Sequence, residues 1–326
     1  MTRLLALIPG TIGDQLLCFP LLESLQKQYP QAQIDVVVEP RAKEAYRISP
    51  VVQQILTYSF SGRTGPADWG NLIGWIRERE YDALITLDKS RLGGLFLWLV
   101  GVPKRVGFAG QPGSMFLTDV VPLKAKQYTA HCYHDLQAGL VGSHQTCPPI
   151  SINVPRKDIE WAEVEQKRLG LDQSQGYVLI HGGSTADHEG KGKGSIYPPS
   201  NWRSLIKGLQ ERQPELPIVL VHASRDRDWF RSVVEGSSNL KVSTPEDIGK
   251  FAAMVAGANL MMSTDADAMH LAVAVGTYLF ALFGPTNPDL VLPKDERVTI
   301  MRAATGKVAD IAPIQVLEKV WNQSDA

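Results

Sequence analysis

Met262-Ser-Thr-Asp-Ala-Asp-Ala-Met-His-Leu-Ala-Val-Ala-Val-Gly-Thr-Tyr-Leu-Phe-Ala-Leu-Phe-Gly-Pro-Thr-Asn-Pro288 is the stretch whose reading decides the fold. It reads as the end of a strand, a polar turn, a short helix, an apolar strand and a Gly-Pro-Thr turn. In an open parallel sheet, successive strand ends and the helix N-termini beside them open on one crevice, where ligands bind. Ser263, Thr264 and Asp265 stand just before the helix, and Gly284, Pro285 and Thr286 just after the next strand. Both turns are therefore expected on the same edge, a place suited to a ligand with phosphates.

Upstream of this stretch the second half repeats one theme. A charged helix over 158–169 precedes the strand Gly176-Tyr-Val-Leu-Ile-His181, which runs into a long small-residue loop, 182–199. Loops of that length in a compact domain are usually functional or disordered. Gly182, Gly183, Ser184 and Thr185 offer N–H and hydroxyl groups to phosphate oxygens, and Lys191 and Lys193 add charge. No Gly-Lys-Ser/Thr opens a helix there, so this is not a Walker loop. Further strands are expected at 217–222 and 241–244, with helices at 201–209, 224–235 and 245–257, the last with Pro245 in its first turn.

The first half has the same grammar. Leu4-Leu-Ala-Leu-Ile8 is the continuous apolar run of a strand covered on both faces. Pro9-Gly-Thr-Ile-Gly13 turns it into a helix whose first turn carries Asp14. That carboxylate either serves the helix start or aims at the crevice beyond the first strand. The glycine turn is not GxGxxG and no acidic residue ends strand two in the dinucleotide pattern, which argues against a nicotinamide enzyme. Strands at 34–38, 54–58, 81–87 and 105–108 alternate with helices at 69–79 and 92–100, the mark of a parallel α/β sheet. Residues 127–141 read as one helix with His131, His134 and Asp135 at i, i+3 and i+4; such a group can bind metal, but more often it is only a polar helix face. Cys147-Pro-Pro-Ile-Ser-Ile-Asn-Val-Pro155 then breaks the pattern and reads as the interdomain linker.

Composition closes off other classes. At 326 residues the chain suggests two domains, and a formal charge of -1 gives no support to nucleic-acid binding. Three scattered cysteines make neither a disulfide framework nor a zinc site, so a reducing cytosol is expected. No cleavage site follows the short apolar start, and the run from Gly93 to Val102 is about half of what a bilayer crossing needs.

Four features together resemble glycosyltransferase family 9, the bacterial lipopolysaccharide heptosyltransferases and their relatives. Gly13-Asp14 followed by Pro20 looks like the family's N-terminal pattern. Tyr197-Pro-Pro-Ser-Asn-Trp202 is similar to its aromatic-Pro segment. Asp265-x-x-x-Met-His-Leu-Ala272 and Ala281-Leu-Phe-Gly-Pro-Thr286 are similar to its two C-terminal signatures. The resemblance implies a GT-B fold: two Rossmann-like domains with parallel sheets facing across an interdomain cleft. The expected domains are 1–150 for the acceptor and 156–312 for the nucleotide sugar, with a last helix over 313–326 packing back on the N-terminal domain.

It also implies an inverting, metal-independent transfer from a nucleoside diphosphate sugar, ADP-heptose by family default, to a lipid-linked saccharide. No cofactor is implied. Asp14 matches the family's catalytic carboxylate, with Thr11 and Gly13 on the acceptor side. The donor would be held by Gly183, Ser184, Thr185, Lys191, Lys193, Asp265, Met269, His270, Gly284, Pro285 and Thr286. A cytoplasmic protein with peripheral association at the inner membrane is implied as well. The strings Asp226-Arg-Asp228 and Asp265-Ala-Asp267 are not taken as metal sites, since three-residue patterns arise by chance. Two departures stand out: Ser195 replaces a family lysine, and Ala266-Asp267 replaces Ser-Gly. A glycine lets backbone approach a diphosphate closely, whereas an aspartate adds repulsion of about 4 kcal/mol per charge pair at ~4 Å in a dielectric near 20. The alternative expectation is a catalytically impaired GT-B relative serving as a binding or assembly subunit.

Overall fold

The computed structural model describes the chain except residues 50, 61–64, 173–174, 184–195, 222–226, 236, 238–239 and 325–326. It divides into two compact units, Met1–Asn153 and Val154–Ala326, and the boundary falls inside the proline-rich segment.

The first unit contains β1 (Arg3–Ile8), α1 (Ile12–Gln28), β2 (Gln33–Val38), β3 (Gln54–Thr57), α2 (Pro66–Glu78), β4 (Ala83–Thr86), α3 (Arg91–Val100), β5 (Lys104–Phe108), β6 (Asp119–Val121), α4 (Thr129–His134) and α5 (Ala138–Val141). Its strands pair in parallel in the order β3-β2-β1-β4-β5-β6. Leu4 to Ile8 are all buried, because helices cover both faces of the central strand. Strand order reverses between β1 and β4, which is where such sheets bind ligands. Two elements go beyond the sequence reading: β6, only three residues long, and a 3-10 segment over Pro40–Ile48 that buries Ala42, Ala45, Tyr46 and Ile48. The single helix expected over 127–141 is instead α4 and α5 joined by a 3-10 turn at Asp135–Gln137.

The second unit contains α6 (Arg156–Arg168), β7 (Val178–His181), α7 (Pro199–Arg212), β8 (Ile218–Val221), α8 (Arg227–Val234), β9 (Lys241–Ser243), α9 (Ile248–Ala256), β10 (Leu260–Thr264), α10 (Met269–Val275), β11 (Tyr278–Phe283), β12 (Val298–Arg302) and α11 (Pro313–Ser324). The order β12-β11-β10-β7-β8-β9, again all parallel, puts the reversal between β7 and β10. One core, around Leu179, Met261, Met269 and Leu279, lies on one side of the sheet. The other gathers Ile180, Tyr197, Trp202 and Phe280, with the Tyr197 and Trp202 rings edge to face at 5.2 Å. Strand β12 lies outside the sequence reading, which stopped at β11. Helix α9 begins at Asp247, whose side chain accepts from the Lys250 N–H at 3.0 Å, so this cap and not Pro245 sets its start. Helix α11, which the family resemblance places against the N-terminal domain, belongs to the second unit. Its Val316, Leu317 and Trp321 pack within the second unit's core, and Arg212 of α7 lies 4.7 Å over the Trp321 ring.

Candidate active site

In the first unit the switch point is built around the turn from β1 to α1. Gly10 has φ +117, a conformation that L side chains rarely adopt, and a Cβ there would stand 2.2 Å from Asp14 Oδ2. The glycine thus makes room for the carboxylate. Thr11 is the N-cap of α1, and Asp14, three residues on, accepts from the Thr11 N–H at 2.8 Å and from its hydroxyl at 3.4 Å. Gly13 is buried in the same turn. Asp14 thus serves the helix start, and it is half-buried in the turn beyond β1.

Its second oxygen accepts from a residue the sequence did not flag. The Tyr133 hydroxyl of α4 donates to Asp14 Oδ1 at 3.1 Å. Burial, and then the Asp14 charge, push the Tyr133 phenol well above its ordinary range, so it remains a donor. Burial, with a smaller contribution from Asp14, likewise pushes the Cys18 thiol up and keeps it neutral. Asp14 is thus held at both oxygens and half-buried in the turn beyond β1. That arrangement can accept a proton from a hydroxyl group placed beside it.

The group His131, His134 and Asp135 disperses. His134 is buried with Nε2 2.9 Å from Ser24 Oγ, His131 lies against the Tyr128 ring, and Asp135 pairs with Lys124 at 2.9 Å. One exposed cation, Lys89, follows β4 on the other side of the switch point, 5.4 Å from the Phe108 ring centre.

In the second unit three strand ends meet at the switch point. The Thr264 hydroxyl donates to the Gly182 carbonyl at 3.0 Å, tying β10 to the turn after β7. The Asp265 side chain is 1% exposed and accepts from the Thr286 hydroxyl, tying β10 to the turn after β11. Gly183 follows at φ +80. Asp265, Gly284, Pro285 and Thr286 thus come together as the sequence placed them. Met269 does not present itself there: it is 1% exposed and belongs to the core. His270 is buried beside it at 4%. Asp267 is half-buried and is not the cap of α10, which starts from Ala268 without a side-chain cap. Ser184, Thr185, Lys191, Lys193, Ser195 and Asp226 lie outside the described residues.

The structure adds a cation to this edge. Arg302 ends β12, and its guanidinium donates to the carbonyls of Gly284, at 3.5 Å, and Pro285, at 3.1 Å. Its side chain is exposed. The signal in the sequence is the short, largely β-branched stretch Val298-Thr-Ile-Met301, whose pairing with β11 carries the arginine to the strand end.

A model of glycosyltransferase family 9 (heptosyltransferase) matches residues 69–320, most of the chain. The chain belongs to glycosyltransferase family 9. Its fold is the GT-B fold of the family's solved members: the family 9 glycosyl transferase from Veillonella parvula aligns over 99% of this chain and 97% of its own, with TM-score 0.86 at 18% identity. Lipopolysaccharide heptosyltransferase 2 of Escherichia coli is 23% identical over 98% of this chain and 97% of its own length. The photosynthetic NDH subunit of subcomplex B 1, a chloroplast protein of Arabidopsis thaliana, is 24% identical over 95% of this chain and 71% of its own. Relatives of this family 9 chain thus carry both a transferase name and a subunit name.

Proposed function

We propose that the protein is an inverting, metal-independent glycosyltransferase of cell-envelope glycan synthesis. It moves a heptose or hexose-like sugar from a nucleoside diphosphate donor, ADP-linked by family default, to a lipid-linked saccharide. The observation that carries this reading is Asp14, half-buried at a sheet switch point and held there by Thr11 and Tyr133. Its carboxylate would take the proton of the attacking hydroxyl as the bond from the anomeric carbon to the diphosphate breaks. The leaving diphosphate needs N–H donors and positive charge. Gly183 and the loop after it, with Lys191, Lys193 and Arg302, would supply them. The protein would work in the cytoplasm at the inner membrane face; among the described residues no helix is long and apolar enough to cross a membrane.

The test is release of nucleoside diphosphate from a panel of sugar nucleotides with saccharide acceptors present. Asp14→Ala should abolish turnover and leave donor affinity nearly intact. Silence of the wild-type protein across the panel would sink the reading.

A second reading is favoured by Asp267 and Ser195, and by the family relative named as a subunit of an assembly. Here the GT-B scaffold binds partners and catalyses nothing. Calorimetry with ADP, GDP and UDP separates the two, because an enzyme of this kind must hold a diphosphate.

A further inference from the structure

Helix α3, Arg-Leu-Gly-Gly-Leu-Phe-Leu-Trp-Leu-Val, is apolar on every side, a composition usual for a helix buried all round. Only half of it is buried. Gly94, Phe96, Leu97 and Val100 face the core, while Leu92, Leu95, Trp98 and Leu99 fall within about 120° of arc on the other side. Leu92 is 67% exposed and Trp98 56%. The 3-10 turn Ser114–Phe116 packs on α3, with Gly113 and the Phe116 ring against Gly94, and brings up Met115 at 69%. Met115 and Leu92 are the two most exposed large hydrophobic side chains among the described residues. The neighbouring α2 turns Asp68, Asn71, Arg77 and Glu78 outward, so a polar surface is the ordinary solution in this unit.

Charge frames the apolar stripe. Arg91 stands at its start; Arg77 donates to the Leu99 carbonyl at 2.6 Å at its end; Arg105 donates to the Phe116 carbonyl at 3.0 Å beside the Met115 turn. Arg77 and Arg105 are pinned on backbone carbonyls, so their charges are not met by carboxylates among the described residues. Residues 88–126 hold six Lys and Arg against two carboxylates, Asp119 and Asp88, the latter turned onto the Ser90 N–H at the start of α3, in a chain of net charge -1. A second copy seated on this face by a two-fold axis would bring the same arginines together, which disfavours self-association.

We infer that the outer face of α3, with Met115, seats the protein on an anionic lipid surface. Leu92, Leu95, Trp98 and Met115 enter the headgroup–acyl boundary while Arg77, Arg91 and Arg105 meet lipid phosphates. An apolar face containing Trp and Leu, bordered by arginine, is the composition that lies in a membrane interface, and indole favours that depth. At ten residues the helix lies on the bilayer and does not span it. The inference rests on the reading of a lipid-borne acceptor only for its purpose, since vesicle binding requires no turnover.

The test is flotation of the full chain with vesicles of phosphatidylglycerol and phosphatidylcholine, against phosphatidylcholine alone. The wild-type protein should float with the anionic vesicles. Binding should fall at least about tenfold in Leu92→Ser/Trp98→Ser/Met115→Ser and weaken at about 0.5 M salt. Transfer to a water-soluble acceptor, if the chain is a transferase, should be unchanged in that variant, so failure of the two readings is distinguishable. Hydrogen exchange over 91–99 in the wild-type protein, slowed by anionic vesicles, covers the case of a variant that folds poorly. Equal flotation of the triple variant, absence of wild-type flotation, or a concentration-dependent dimer that the triple variant abolishes would overturn the inference.

Discussion

The Tyr133 hydroxyl and the Asp14 carboxylate are 119 positions apart in sequence and 3.1 Å apart in space. One side chain comes from the fourth helix and the other from the first turn of α1, so the candidate base is held by a partner that no local pattern announces. Tyr133→Phe deletes that hydrogen bond and little else. A hydrogen bond to a charged group contributes about 1.5–3 kcal/mol, so kcat should fall at least about tenfold. Donor affinity and melting temperature should barely move. An equal loss in kcat and in donor affinity would mark Tyr133 as merely structural.

Gly10→Ala tests the same carboxylate from its other side. The new Cβ would meet Asp14 Oδ2 at 2.2 Å and the backbone would be strained at φ +117, so Asp14 must move. Strain of this kind costs about 1–3 kcal/mol. Activity should collapse together with a fall of several degrees in melting temperature. Gly101→Ala is the control: its φ of +76 is also strained, but nothing lies within 4 Å, so stability should fall and activity persist.

Asp267 decides between enzyme and scaffold. If its charge faces the diphosphate, Asp267→Gly removes that repulsion and restores close backbone approach. ADP affinity measured by calorimetry should rise about tenfold, a conservative share of the Coulomb figure for a half-buried group. Unchanged affinity would place the side chain away from the ligand.

Thr286→Val cuts the tie between the turns after β10 and β11. Asp265 keeps its buried position but loses a donor, at a cost of about 1–3 kcal/mol. A drop of several degrees in melting temperature and weaker diphosphate binding should appear together. Loss of stability alone would mean that the turn is scaffold and not ligand site.

High pH should weaken the second unit. Burial pushes the Tyr177 and Tyr197 phenols up to about 12, while in the unfolded chain they titrate near 10. The folded state therefore binds these protons more tightly. The stabilisation is whole below pH ~10 and is lost as pH rises toward 12, roughly 2 kcal/mol for each phenol. The Tyr197 hydroxyl donates to the Ile311 carbonyl at 3.0 Å, so Tyr197→Phe should lower stability at neutral pH and flatten the alkaline decline. Melting curves from pH 8 to 11.5 would show it (~0.5-unit steps suffice).

The sequence by itself determined the α/β class, two units of alternating strand and helix, and most of the element positions. A parallel strand buried on both faces must be an unbroken apolar run, as at Leu4–Ile8 and Tyr278–Phe283, and the polar turn after it marks the ligand edge. Asp265 and Thr286 stand in the turns just after strands β10 and β11, and Asp14 in the first turn of the helix that follows β1, so the same pattern points to all three positions. The burial of the Met269 side chain was not legible, because helical spacing alone does not tell a core side chain from one at the edge. Strands β6 and β12 escaped because neither is long or uniformly apolar. Only the tertiary structure decided that Tyr133 meets Asp14, that Arg302 reaches the Gly284 and Pro285 carbonyls, and that one face of α3 is left in water. These depend on strand order and helix placement, which are non-local, whereas hydrophobic periodicity is a local property of the chain.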